Sequence, residues 1–171
     1  MLENVLAKIS LFSALPEASI IQLANHTYTH IYEKDTIITH EGDVSDVLYV
    51  ILSGSVKVFL ENRQGERITL RVLHRGDYFG ELSLLDESSR SASVITLNKT
   101  MLAIIDKAEF IRCLRNTPEI AINLCIELSR RMRSMTENVK DLNFSEDEFR
   151  NIGRITGDRP QILGLKSNYV L

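Results

Sequence analysis

The chain has 171 residues, 44% hydrophobic and 25% charged, and its 20 basic and 23 acidic side chains leave a net charge of −3. That apolar fraction excludes disorder, the length suits one domain with a short appendage, and the charge balance excludes a general pull toward nucleic acid or anionic membrane. Two cysteines, Cys113 and Cys125, are too few for a disulfide framework, no apolar run is long enough to span a membrane, and the N-terminus lacks a signal-peptide pattern, so a cytoplasmic setting is expected.

In chain order, the first 25 residues are predicted to be helical. Leu2, Val5, Leu6 and Ile9 share a face, and Ile20, Ile21, Leu23 and Ala24 follow Pro16 and Glu17, residues suited to a helix start. From His26 the period changes. Short apolar runs at 36–39, 47–52, 56–60, 68–73, 92–97 and 101–105 are punctuated by glycines at 42, 54, 65 and 76. Several alternate, as do Val56, Val58 and Leu60, or Ile68, Leu70 and Val72. This spacing predicts a mainly β fold with flanking helices, an antiparallel β-roll or jelly roll of about eight strands.

After Asp106 the helical period returns, first around Phe110, Ile111 and Leu114 and then, beyond Pro118, through Ile120, Leu124, Leu128, Met132, Met135, Val139 and Leu142. The second segment, 118–142, predicts a helix of roughly 37 Å. Packing on its own barrel accounts for the first half. The 4-3 rhythm of the second half is that of a coiled-coil seam, so a homodimer through this helix is expected. Residues 1–143 form the expected domain. The remaining 28, from Phe144, carry Ser145 and Glu148 as a capping box and are then broken by Gly153, Gly157, Pro160 and Gly164; they are expected to be a tail or linker.

The stretch richest in chemistry is Phe79-Gly80-Glu81-Leu82-Ser83-Leu84-Leu85, followed by Arg90-Ser91-Ala92-Ser93-Val94. Gly80 permits a backbone turn or a close approach that a side chain blocks. Glu81 to Leu85 is long enough for one or two helical turns, whose first N–H groups suit an anion. Arg90 supplies a guanidinium fork for phosphate and Ser91 a hydroxyl donor. Glu81 fits beside an anion if the ligand also carries a hydroxyl, as ribose does, which points to a nucleotide or sugar phosphate. A structural Glu81–Arg90 ion pair and a merely solvated loop at Ser88–Ser91 are the bland alternatives.

This ordered pattern resembles the phosphate-binding cassette of cyclic-nucleotide-binding domains, the family of the catabolite activator regulators, protein kinase A regulatory subunits and cyclic-nucleotide-gated channels. Gly42-Asp43, Leu48-Tyr49-Val50-Ile51 and Gly54 resemble a second family element, with Thr39 in place of an aliphatic and Ser45 in place of a smaller residue. The resemblance extends over about residues 5–143. It implies that Glu81 accepts from a ribose 2′-OH, that Gly80 and Leu82 line the ribose-phosphate, and that Arg90 and Ser91 hold the cyclic phosphate. It further implies that Val58 and Leu70 border the nucleotide and that Thr136 reaches the base across a dimer. Met135 replaces a hydroxyl residue beside Thr136, and Arg71 replaces a small polar one; both departures bear on base selectivity. The expected ligand is cAMP, ahead of cGMP, with no other cofactor and no metal. The expected function is a non-enzymatic sensor that signals by repositioning its C-terminal helices.

Two other functions compete. A cupin-like metal enzyme needs converging histidines and a carboxylate, and His26, His30, His40 and His74 show no such spacing. A cAMP-receptor-type transcription regulator needs a DNA-binding domain, and the last 28 residues, with four basic and four acidic side chains, cannot supply a recognition helix. The chain is then either the sensor half of a truncated regulator or a free-standing sensor, with no direct DNA binding and no membrane partner.

Overall fold

The computed structural model describes residues 2–141. Residues 1–130 form one compact unit and residues 131–171 a second. The expected boundary at 143, the tail and its capping box lie outside the described residues.

The N-terminal helical segment consists of α1 (Leu2–Leu6), a 3₁₀ turn (Ser10–Phe12) and α2 (Glu17–Asn25). Eight strands follow among the described residues: β1 (Thr27–Tyr32), β2 (Ile37–Thr39), β3 (Val47–Ser53), β4 (Ser55–Glu61), β5 (Arg67–His74), β6 (Tyr78–Phe79), β7 (Ser93–Thr96) and β8 (Thr100–Asp106). Helix α3 (Glu81–Asp86) interrupts them after β6, and α4 (Lys107–Asn116) and α5 (Pro118–Asp141) close the described chain. The strands form two antiparallel sheets of four, in the orders β1-β8-β3-β6 and β2-β7-β4-β5. This is the expected β-roll with flanking helices.

Strand β3 explains how the layers meet. Its apolar run has no polar face because both faces are covered. Leu48, Val50 and Leu52 join Ala103 and Ile105 of β8 against a helical layer that includes Phe12, Leu23, Phe110 and Ile120. Tyr49 and Ile51, pointing the other way, meet Val56, Leu73 and Val94 of the second sheet inside the roll. Two strands escaped the sequence pattern. β1 is an edge strand whose residues are polar or exposed, so it carries no alternation, and β6 has only two residues.

The alternation expected along β5 is corrected. Thr69 pairs with Phe59 and Arg71 with Val58, so Leu70 is an extra residue in a β-bulge. The slip reverses the faces beyond it. Val72 shares the outer face with Lys57 and is 41% exposed, while Arg71 and Leu73 take the inner side. A cysteine without a disulfide or a metal reads as a small buried apolar residue; that holds for Cys113, which is buried, and is corrected for Cys125, which is exposed on α5.

Candidate functional site

The site is assembled around the link from β6 through α3 to β7. The turn Arg75-Gly76-Asp77 is sewn to β3, with Gly76 N donating to the Ile51 carbonyl and Ile51 N to that of Asp77, both at 2.9 Å. Gly80 then adopts φ +88°, the left-handed region that a side chain disfavours, and caps α3. Helix α3 places Glu81, Ser83 and Leu84 in the interior and leaves Leu82 exposed.

Arg90 lies at the start of the link into β7, and its main chain is clamped from the far side. Gly42 N donates to the Arg90 carbonyl and Arg90 N to that of Asp43, both at 2.8 Å. The glycine of the Gly-Asp turn and its aspartate thus hold the cassette arginine in place.

The Arg90 side chain is only 4% exposed. Nη1 donates to the Gly80 carbonyl at 2.7 Å and to Ser83 Oγ at 2.9 Å. Nη2 donates to Ser45 Oγ at 2.8 Å and to the Val47 carbonyl at 2.6 Å. The Nε–H is buried and unpartnered among the described residues. Each of these four acceptors is a neutral oxygen. Beneath the guanidinium, 5.6 Å away, lies the ring of Tyr49, itself stacked on Phe79 at 4.9 Å.

Electrostatics follow from this burial. Loss of water pulls the Arg90 pKa down, and Tyr49, Glu81, Asp43 and Asp46 oppose that shift by their charges. The Tyr49 hydroxyl is pushed up, first by burial and then by Tyr32, with Arg90 acting against it. A guanidinium stays ionised under such shifts. What results is a buried cation with four N–H groups on neutral oxygens and one donor, Nε–H, still to place among the described residues.

Gly80, Glu81 and Arg90 are therefore brought together, with Glu81 as buried as Arg90. Ser91 follows Arg90 and is exposed. Val58 and Leu70 lie on the paired strands β4 and β5, Val58 part-buried and Leu70 in the bulge. One row crosses the whole second sheet: Thr39 pairs with Val94, Val94 with Val58, and Val58 with Arg71. At one end of that row the Thr39 hydroxyl is buried without a partner among the described residues. Thr136 belongs to the second unit, where its hydroxyl donates to the Met132 carbonyl at 3.0 Å.

Sequence reasoning missed Tyr49, Ser83, Ser45 and Val47 as site residues. For Tyr49 the signal was available, since alternation along Leu48-Tyr49-Val50 sets the ring opposite the helix-facing leucine. The Val47 carbonyl left no signal, because any residue type carries one. Among the described residues no group of three or more His, Cys, Asp or Glu side chains is placed to hold a metal ion. Nor is any helix there long and apolar enough to cross a membrane.

Comparison with known proteins follows the same lines. The model of the cyclic nucleotide-binding domain matches residues 29–117. The cyclic AMP receptor protein of Thermus thermophilus is 32% identical over 136 residues, 80% of this chain and 63% of that protein. The cAMP-activated global transcriptional regulator of Escherichia coli O6:H1 is 31% identical over 121 residues, 70% of this chain and 58% of that protein. The crystal structure of Thermus thermophilus catabolite activator protein superposes with a TM-score of 0.68 at 32% identity, covering 78% of this chain and 62% of that one. The chain thus spans less than two thirds of the length of these relatives.

Proposed function

The chain belongs to the cyclic nucleotide-binding domain family, and from that premise we propose that it is a non-enzymatic sensor of a cyclic nucleotide, cAMP, acting in the cytoplasm. The observation that carries this is the state of Arg90: a buried guanidinium with four N–H groups on neutral oxygens and a Nε–H unpartnered among the described residues. A phosphate diester supplies an acceptor for that Nε–H and an anion for the guanidinium. Glu81, equally buried and one residue beyond Gly80, takes the ribose 2′-OH, while Gly80, Leu82 and the Ser91 hydroxyl line the ribose-phosphate. Val58 and Leu70 border the nucleotide, with Arg71 in register with Val58, and Thr136 reaches the base across the proposed dimer, from the partner copy. The choice of cAMP follows the names of both bacterial relatives.

Signalling is assigned to the C-terminal helices. Leu84 of α3 shares one apolar cluster with Phe110 and Cys113 of α4 and with Ile120 and Leu124 of α5. A shift of α3 on phosphate capture is therefore felt by the helices that follow, and coupling of this kind amounts to about 1 to 3 kcal/mol. A homodimer through α5 is part of the same proposal. The match to only part of each regulator also favours a second reading, the sensor portion of a transcription regulator.

Calorimetric titration with cAMP, cGMP and a cyclic dinucleotide tests the site. Wild type is expected to bind cAMP most tightly, and Arg90→Leu to lose about 2 to 5 kcal/mol of that affinity. Undiminished binding by Arg90→Leu overturns the proposal.

A further inference from the structure

Arg90 has five N–H groups, and the fifth, on Nε, lies beside Nη2 on one edge of the guanidinium. That edge is the fork with which an arginine grips two oxygens of a phosphate. Both N–H groups of Nη2 are already taken, one by Ser45 Oγ and the other by the Val47 carbonyl. A phosphate that reaches Nε completes the fork only when one of those acceptors yields.

The two acceptors differ in their freedom. Val47 opens β3 and is paired with Asp106 of β8, so its carbonyl is fixed by the sheet. Ser45 lies in the link between β2 and β3, outside either strand and half-buried, and its hydroxyl turns about a single bond. It is also a position at which this sequence departs from the smaller residue of its family pattern. An alanine there has no oxygen to offer Arg90.

We propose that Ser45 is a positioning residue for the phosphate arginine: its hydroxyl competes with the ligand phosphate for Nη2 and so sets the affinity of the cassette. This rests on the phosphate-binding role assigned to Arg90 above. The hydroxyl does not contact the base, so it weakens all cyclic nucleotides alike and leaves selectivity among them unchanged.

Titration of wild type, Ser45→Ala, Ser45→Thr and Arg90→Leu with cAMP and cGMP separates the possibilities. Ser45→Ala is expected to bind both nucleotides about three- to tenfold more tightly, the net share of one ordinary hydrogen bond. Ser45→Thr, which keeps the hydroxyl, is expected to stay at the wild-type affinity. A merely structural role moves the alanine variant the other way, because a loosened pocket binds more weakly. Unchanged or weaker binding by Ser45→Ala, or equal tightening by Ser45→Thr, overturns this inference while Arg90→Leu still upholds the phosphate site. Absence of binding by wild type, or undiminished binding by Arg90→Leu, overturns both.

Discussion

Gly80 shows how tightly the site is drawn. A methyl group at this position would collide with Arg90 Nη1 and come within 2.8 Å of Cζ, and the backbone there has φ +88°. Gly80→Ala is therefore expected to lose about 1 to 3 kcal/mol of stability from backbone strain alone. Urea unfolding should register that loss, and cAMP titration of the same variant should show the displaced guanidinium as lost affinity. The identities of Gly80, Glu81 and Arg90 were legible in the sequence because they stand within eleven residues in a patterned order. Ser45 and Val47 were not, since they lie 45 and 43 residues from Arg90 and meet it only once the two sheets have closed.

Helix α4 supplies a test at the scale of the element. Arg112 Nη2 donates to Glu109 Oε1 at 2.6 Å and its Nε to Oε2 at 2.9 Å, a two-pronged pair one turn apart. The Arg112 guanidinium holds the Glu109 carboxyl below the usual carboxylate range, against an opposing effect of burial. Because the folded pKa is depressed, the pair's contribution is present above the unfolded carboxylate pKa and is lost as pH falls through the folded value. Wild type is expected to exceed Glu109→Gln by about 0.5 to 1 kcal/mol in urea unfolding near neutral pH, and the gap should close on acidification below the ordinary carboxylate range. The helix itself was visible from Phe110, Ile111 and Leu114, and the roll from its glycine spacing. The bulge at Leu70 was not, because nothing in Thr69-Leu70-Arg71 distinguishes an extra residue from a regular one; only pairing with β4 reveals it.

The whole molecule turns on what α5 does with its two faces. Ile120 and Leu124 are sealed in the unit's own core, while Ile122 and Ile126 on the other side are 57% and 45% exposed. The seam read from the sequence therefore begins as an internal contact, and its members Met135, Val139 and Leu142 have side chains outside those described. A helix pair is expected to cover the outer isoleucines. Sedimentation equilibrium should give twice the 19.4 kDa chain mass, and Ile126→Glu should shift the population toward the single chain without altering the melting of the roll. A wild-type mass of one chain would remove dimerisation from the proposed function.

The reciprocal bonds between the Gly42-Asp43 turn and the Arg90 main chain have a consequence for sequence change. The Arg90 main chain is anchored by residues that precede it by nearly fifty positions, not by the exposed stretch 87–89 that connects it to α3. That stretch is free to gain or shed residues at little entropic cost, while the arginine keeps its place. The length of the cassette can thus drift, and the turn on the opposite strand link is where a substitution would be felt.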